Sequence, residues 1–284
     1  MRNYSFFKTP EELQGMRGGS SLYTDIKRIL ISWEIDEEVY RKLLPPGLEP
    51  VAPIACAFVA SFGNAGFHLS KYTEGGLFLY AQHKGVFGVY CLAMPIQDGE
   101  MGVLLGRECY GYPKKFAQLE LTHSGDSIHA SVTRNGITFF EVDGVIGEGH
   151  DTEWSKLVPE ENLGKFLPDQ VYLLDYKLNC DGSDPAMACF KFDDIGLYRQ
   201  TNLQKIVKET PMKVDVTIRP SEDDPWIELA PKRILSARWQ FTENEMLGRE
   251  LVKKYEGQEA EEILPYCFAR WDTNVLGKDH DFYF

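Results

Sequence analysis

The segment at residues 106–115 gathers the side chains best suited to chemistry within one short connection. It reads Gly-Arg-Glu-Cys-Tyr-Gly-Tyr-Pro-Lys-Lys, and an alternating strand pattern begins directly after it. Glycine and proline set the backbone options of such a connection, while Tyr110 and Tyr112 could wall a pocket or only pack beside one. If the strand period extends back, Lys114 and Lys115 point to opposite faces, and only one of them enters the interior.

A lysine in an apolar interior is a candidate nucleophile. Burial lowers the pKa of an ammonium group because the charged form loses its hydration, and the free amine can then attack a carbonyl carbon. A second cation beside it would favour the free amine further. A Lys-Lys dipeptide beside a turn is, however, most often a solvated surface pair. The residues alone therefore leave two alternatives, a Schiff-base site that acts on a keto acid or an exposed pair.

The elements that must position this segment are mostly β-strands. Apolar, β-branched or aromatic runs predict strands at residues 52–61, 86–94, 101–105, 171–178, 188–193, 214–219 and 235–241. Alternation at 118–122 and 127–133 continues through Asn135-Gly136 into 137–142, which is the pattern of a tight hairpin. Few helices are available for crossovers, so we predict an α+β fold with a mainly antiparallel sheet. So many strands leave long edges unless the sheet closes or curls.

Two helices are predicted beside these strands. Asp36 can cap a short helix that runs to Leu44, with acids in its first turn, bases in its last and Pro45-Pro46-Gly47 as its stop. A second helix is predicted from about Asn244 to Tyr255, where three apolar side chains recur at helical spacing. The stretch 257–284 is less regular. We predict a single domain over 1–284 with that stretch as a C-terminal extension.

The bulk composition excludes several classes of partner. A chain of 284 residues with 43% hydrophobic side chains can bury a large core. Its net charge of -13 argues against nucleic acid and anionic membranes, and a small anionic substrate would need a local positive cluster. Neither a signal-like run at Met1 to Met16 nor a membrane-length apolar run occurs. The scattered cysteines and histidines lack metal-ligand spacing, so we predict a cytoplasmic protein without a metal.

Four segments resemble the acetoacetate decarboxylase family. Residues 106–117 are similar to its signature, in which Gly-Arg-Glu precedes Pro-Lys-Lys. Residues 71–75, Lys-Tyr-Thr-Glu-Gly, resemble its Tyr-Thr-Glu-Ser-Gly element, and residues 171–183 resemble its hairpin ending in Tyr-Asp-Gly-Ser. Residues 41–45 match the end of its first helix. The elements follow the family's order, so the resemblance spans most of the chain and leaves the tail as an addition.

The resemblance implies roles for individual residues. Lys114 corresponds to the family's Schiff-base lysine, Lys115 to the cation beside it and Glu74 to a glutamate that contributes to catalysis. The composition of the segment itself makes Tyr110 and Tyr112 the candidate substrate-binding residues beside them. The resemblance also implies a closed sheet with a cone-like interior, a homo-oligomer and a reaction without a cofactor.

The sequence departs from the family pattern at two charged positions. Acetoacetate decarboxylases carry a second glutamate fifteen residues before the first, and here that position is Val59. They also carry an arginine before the first helix that engages the substrate carboxylate, and the aligned residue here is Ile26. Arg28, a neighbour of that position, is then the candidate substrate-binding cation. Both departures separate this chain from decarboxylases of acetoacetate itself.

Three functions follow from these observations. The first is a Schiff-base lyase that decarboxylates a β-keto acid such as acetoacetate through an imine and an enamine. The second uses the same enamine, formed from pyruvate, to add to an aldehyde and lose water, as a pyruvate-dependent aldolase-dehydratase. The third is a non-catalytic protein of the same fold that binds a small molecule. In each case the expected partner is a small anionic keto acid.

Overall fold

β-Strands make up most of the molecule. The computed structural model describes residues 5–16, 21–66, 69–150, 158, 169–180, 183 and 192–272. The strands in these residues are β1 (Leu22–Glu34), β2 (Glu49–Asn64), β3 (Tyr72–His83), β4 (Val86–Gln97), β5 (Lys114–Phe116), β6 (Gln118–Ser124), β7 (Ser127–Arg134), β8 (Ile137–Ile146), β9 (Gln170–Cys180), β10 (Phe192–Ile218) and β11 (Arg233–Tyr255).

Short helices flank the strands. The α-helices of the described residues are α1 (Pro10–Met16), α2 (Glu37–Leu43), α3 (Glu100–Leu104) and α4 (Gln258–Ile263). A π-helical turn at Leu105–Tyr110 extends α3, and 3₁₀ turns occur at Trp226–Leu229, Leu264–Tyr266 and Phe268–Arg270. None of the helices in the described residues has the length and apolar character of a membrane span.

Seven strands close into a ring. The order is β11-β1-β2-β3-β4-β9-β10, and β10 pairs again with β11 to complete the circuit. Neighbours are antiparallel except β4 and β9, which run parallel, and the short β5 adds to β4 in parallel as well. Closure removes the exposed edges that so many strands would otherwise leave. The closed, mainly antiparallel α+β fold predicted from the sequence is confirmed.

A smaller sheet covers one side of the ring. The end of β10, from Met212 to Ile218, leaves the ring and pairs with β8, and β7 and β6 follow in sequence. Alternation along β1 divides its side chains between two environments. Ile29 and Trp33 join the main core between ring and smaller sheet, where Trp33 stacks on Phe140. Arg28 and Leu30, which alternate with Ile29 and Ile31, point into the ring.

Two local predictions are confirmed in detail. Asp36 caps α2, and its carboxylate accepts hydrogen bonds from the backbone N–H groups of Glu38 at 2.9 Å and Val39 at 3.3 Å. Asn135 and Gly136 both have positive φ, at 49° and 76°, in the two-residue turn between β7 and β8. That conformation is the one that the Asn-Gly dipeptide favours in hairpins.

Two other local predictions are wrong. Residues 101–105, predicted as a strand, lie mostly in α3, because a short apolar run fits either structure and this one has no neighbouring strand to pair with. The stretch from Asn244 to Tyr255, predicted as a helix, continues β11, where hydrogen bonds to β10 override the local preference. Most of the predicted strand at 188–193 lies outside the described residues.

Candidate active site

The interior of the ring is a cavity of about 320 Å³. Every ring strand contributes to its wall, mostly with apolar or aromatic side chains, and Glu74 is the one carboxylate that lines it among the described residues. A volume of this size is at the lower end of the range for pockets that hold drug-sized ligands. The fold therefore places a largely apolar chamber at its centre.

The lysine segment enters this cavity through a tightly built connection. After the π-helical turn, Gly111 takes a left-handed conformation with φ +82°, where a Cβ would meet Lys177 and Asp175. A Cβ on Gly106 would lie 2.6 Å from both Cδ and Cε of Lys114, so the aliphatic stem of the lysine packs directly on glycine backbone. The two glycines of the motif thus have separate tasks, one in the turn and one beneath Lys114.

Lys114 and Glu74 form a buried ion pair in the cavity. Lys114 is 6% exposed and Glu74 is 5% exposed, and the lysine Nζ donates a hydrogen bond to Oε2 of the glutamate. Lys114 lies on β5 and Glu74 on β3, so the pair bridges β4, which separates these strands. An ion pair out of water is stable only when each charge keeps its partner, which ties the two residues to each other.

Tyrosine rings form the walls around the lysine. The Nζ of Lys114 lies 5.8 Å from the ring centre of Tyr72 and 6.0 Å from that of Tyr112. Tyr110 stacks on Tyr112 with centroids 5.6 Å apart, and both line the cavity. Burial raises the pKa of Tyr72 and of Tyr112 well above the ordinary value, so these phenols stay neutral beside the ion pair.

Lys115 points away from the cavity but is also buried. Its Nζ donates to the backbone oxygen of Asp223 at 2.6 Å and lies 3.6 Å from Asp224 and 3.1 Å from Asp272. Arg134 binds the same two carboxylates, at 2.7 and 2.8 Å. Strand alternation predicted that the two lysines point to opposite faces of the strand, and they do. The prediction that only one of them is buried is wrong. The acidic partners neutralise Lys115 and hold it in a structural cluster.

The predicted C-terminal extension braces the lysine segment. Arg107 donates from Nη1 to the backbone oxygens of Lys114, at 2.8 Å, and Arg270, at 3.1 Å. Its guanidinium also lies 4.9 Å from the ring centre of Trp271. Burial alone would raise the pKa of Asp272, but hydrogen bonds from Arg134 and the charge of Lys115 hold it below the ordinary value. Residues beyond 257 therefore help to fix the backbone that carries both lysines.

Arg28 lies on another wall of the same cavity. It is 8% exposed and donates from Nε to Gln240 at 2.7 Å and from Nη2 to Gln204 at 2.8 Å. Burial lowers its pKa to about 10, which still leaves it charged at neutral pH. Among the described residues, no carboxylate forms an ion pair with this guanidinium. The sequence-based candidate thus reaches the cavity as a cation with neutral partners.

The structure shows where the two positions that depart from the family pattern, Val59 and Ile26, lie relative to the cavity. Val59 faces the main core, and its neighbour Ala60 lies opposite Glu74 on the cavity wall. Neither residue supplies a second carboxylate beside Lys114. Ile26 and Arg28 both line the cavity, since they are two residues apart on β1. The arginine is therefore one pleat away from the aligned position, on the same wall.

Comparison with known proteins places this site in a family. The acetoacetate decarboxylase family model matches residues 12–256. The chain belongs to the acetoacetate decarboxylase family. This confirms the resemblance drawn from the lysine, glutamate and hairpin segments. Membership supports a lysine-based enzyme and does not fix the reaction.

Individual relatives of this chain are named for different activities. The chain is 28% identical over 243 residues to the "CLA biosynthesis isomerase" of Lactiplantibacillus plantarum, with 83% of each chain covered. A solved acetoacetate decarboxylase superposes with a TM-score of 0.71 at 18% identity, over 85% of this chain and 92% of the other. The enduracididine biosynthesis enzyme MppR, solved with the condensation product of pyruvate and imidazole 4-carboxaldehyde, gives 0.64 at 16% identity, over 88% and 96%. At these identities the two solved structures support the fold alone.

Sequence inspection missed several polar residues of the cavity. Asn202 and Gln204 on β10 and Asn244 on β11 line it together with Arg28. The two residues on β10 alternate, which is the signal of a polar face within a strand. The erroneous helix at Asn244 concealed the matching residue on β11.

Proposed function

We propose that this protein is a Schiff-base lyase in which Lys114 forms an imine with a β-keto acid, whose carboxylate then leaves as carbon dioxide. The buried Lys114–Glu74 pair within a largely apolar cavity carries the proposal. The pair is neutral whichever group holds the proton. Transfer of that proton to Glu74 therefore provides a free amine and a carboxylic acid without burying a net charge.

The first half of the reaction builds the imine. Nζ of Lys114 attacks the carbonyl carbon, and the carbonyl oxygen leaves as water after taking one proton from the attacking amine and one from Glu74. The products are a cationic imine and a Glu74 carboxylate, so the site again holds one positive and one negative charge. Tyr72 and Tyr112 flank the lysine and present ring faces to the developing cation.

The second half uses the imine nitrogen as an electron acceptor. The electrons of the bond to the carboxyl carbon move towards that nitrogen, carbon dioxide leaves and a neutral enamine remains. A proton from water adds to the enamine carbon, and hydrolysis of the resulting imine releases the ketone and Lys114. The Glu74 carboxylate favours loss of the substrate carboxylate because two like charges in one apolar chamber repel each other.

A second candidate reaction moves a double bond and keeps every carbon. Two observations favour it, namely the name of the relative in Lactiplantibacillus plantarum and the single carboxylate in the described lining of the cavity. After imine formation with an unsaturated oxo compound, Glu74 would remove a proton from a carbon conjugated with the imine. Return of that proton to a different carbon shifts the double bond, and hydrolysis frees the isomer.

Reductive trapping tests the shared imine. The protein is incubated with acetoacetate, pyruvate or an unsaturated ketone, reduced with borohydride and digested for peptide mass spectrometry. We expect an adduct on Lys114, none in Lys114→Ala, and an unchanged adduct in Lys205→Ala, an exposed lysine on β10. Absence of any adduct would refute both reactions and leave the non-catalytic binding protein.

Product analysis then separates the reactions. Carbon dioxide release identifies the decarboxylase, and a shifted enone absorbance without carbon dioxide identifies the isomerase. Enone formation from pyruvate plus an aldehyde would identify the aldolase-dehydratase. In either of the proposed reactions Glu74→Gln should lower kcat by roughly 100-fold or more, since it removes the proton carrier and keeps the shape.

The assembly and location remain predictions. We propose a homo-oligomer, because the paired β10 and β11 carry exposed apolar side chains at Leu203, Ile206, Val207, Leu247 and Leu251. Light scattering at several protein concentrations measures the state directly. A monomer at every protein concentration would refute the homo-oligomer. A cytoplasmic location likewise remains a prediction from cysteine usage.

A further inference from the structure

We propose that the cavity binds an elongated, mainly apolar oxo acid whose distal carboxylate lies on Arg28, far from the carbonyl carbon at Lys114. The proposal deepens the function above and rests on it only for the carbonyl end. The evidence for the distal end is the chemistry of the wall around Arg28.

Arg28 has unused hydrogen-bonding capacity. A guanidinium carries five N–H groups, and the bonds to Gln240 and Gln204 use two of them. The described residues provide no further acceptor for Arg28 and no ion pair. Glu209, which accepts a hydrogen bond from Gln240, stabilises the charge of Arg28 without a direct ion pair. A buried cation that no carboxylate contacts is unfavourable, so its retention points to an anion that completes the site.

The neighbouring amides are also incompletely bonded. The Oδ1 atoms of Asn202 and Asn244 are buried and find no hydrogen-bond partner among the described residues. Both side chains line the cavity, and Gln204 lies opposite Asn244 in the pairing of β10 with β11. An amide that turns about its terminal bond offers NH₂ in place of oxygen. Arg28 and three amides thus form a polar patch suited to a carboxylate.

The strand register separates this patch from the lysine. Arg28 pairs with Ala60, and Ala60 pairs with Glu74, so the arginine and the glutamate are two strands apart in one row. With strands about 4.8 Å apart, their Cα atoms are separated by about 10 Å. The bonds of the guanidinium to Gln240 and Gln204 direct it towards β11 and β10, away from Glu74.

The space between the two ends is apolar. Phe58 stacks on Phe78 with centroids 5.8 Å apart, and Met94, Leu173 and Met246 complete that part of the wall. Each carbon–carbon bond of an extended chain advances about 1.25 Å along its axis, so roughly eight bonds cover a span of about 10 Å. Acetoacetate has its carboxylate only two bonds from the carbonyl carbon, so it cannot occupy both ends.

This placement has a consequence for the reaction. A carboxylate held on Arg28 is too far from the imine to be the group that is lost. A substrate with one carboxylate would therefore keep it, as in the double-bond shift. A decarboxylated substrate would need a second carboxylate beside the imine.

Saturated carboxylates test the distal site without involving the imine, because they contain no carbonyl to trap. Calorimetry on the full chain would compare butyrate, octanoate and 1-octanol. Each buried methylene should tighten binding by about fourfold, so octanoate should bind at least tenfold more tightly than butyrate. Equal binding of the two acids, or no binding of octanoate, would overturn the proposal even if Lys114 forms its adduct.

Substitution of the arginine tests the charge. We expect Arg28→Gln to weaken octanoate by tenfold or more and to leave 1-octanol unchanged, while Arg28→Lys restores part of the affinity. Arg41→Gln, on the exposed face of α2, is the matched control and should change neither ligand. Circular dichroism checks the fold, and Gln204→Ala provides a second, milder variant that should also weaken the acid selectively. An equal effect of Arg28→Gln on acid and alcohol would refute a carboxylate site.

Discussion

Asp175 offers the sharpest quantitative test of the electrostatics beneath the lysine segment. It lies on β9, is 1% exposed, and neither carboxylate oxygen has a hydrogen-bond partner among the described residues. A Cβ on Gly111 would lie 3.0 Å from its Oδ1, so Asp175 packs directly under the turn that precedes Lys114. Burial raises its pKa to about 8, and the charges of Arg249 and Arg270 only partly oppose the rise.

The raised pKa predicts the sign of a pH effect. Between about pH 4 and pH 8 the folded protein keeps the proton on Asp175, whereas the unfolded chain has lost it. The stability of the fold therefore falls as pH rises through this window. The contribution is about 1.4 kcal/mol per pH unit, or about 4 kcal/mol between pH 4 and pH 7.

Asp175→Asn replaces the acid with a neutral group of the same shape. We expect the variant to lose the pH dependence of stability that Asp175 causes. Its unfolding free energy should therefore exceed that of the wild type by several kcal/mol at pH 8. Urea unfolding at half-unit steps from pH 5 to pH 8 measures both slopes. Asp126→Asn, in the exposed turn between β6 and β7, is the control and should keep the wild-type slope. If Asp175→Asn also keeps that slope, Asp175 is ionised in the fold and the argument fails.

Three further substitutions test the framework around the site. Gly106→Ala should reduce the borohydride adduct on Lys114 by tenfold or more, because its Cβ would overlap the lysine stem; circular dichroism should remain unchanged. Lys115→Met should lower the unfolding free energy by about 3 kcal/mol, since it removes one of the cations that neutralise Asp224 and Asp272. The same variant should keep the Lys114 adduct. Loss of that adduct in a folded protein would show that Lys115 takes part in imine formation. Tyr40→Phe should cost about 1–3 kcal/mol in urea unfolding, because its hydroxyl bonds three backbone groups.

The two lysines of the motif show how one dipeptide serves two purposes. Strand alternation sends Lys114 into the ring and Lys115 to the other face. Lys114 meets Glu74, and Lys115 meets a cluster that includes Asp224 and Asp272. The acidic run at 221–224 supplies part of that cluster, and Asp224 is only 5% exposed. The expected help from Lys115 towards a free amine is therefore weakened by its own counter-charges.

Local chemistry made part of the fold predictable. The cap at Asp36 and the Asn135-Gly136 turn depend on side chains and backbone torsions within a few residues, so the printed sequence contains what they need. The helix predicted from Asn244 failed because its partner strands lie far away in the chain. Leu203 and Glu245 pair across β10 and β11, and no local pattern reveals that contact.

The reactive groups of the site can be read from the amino-acid sequence. It supplied a lysine beside a second lysine, a glutamate in a recognisable segment, and a family with Schiff-base chemistry. The residues that surround these groups depend on how the strands pair. Pairing of β3 and β5 with β4 brought Glu74 onto Lys114, and closure of the ring through β10 and β11 placed Arg28 in the same cavity with Gln204 and Asn244. Those contacts arise from strand pairing between distant segments, and burial then sets which charges remain without a partner.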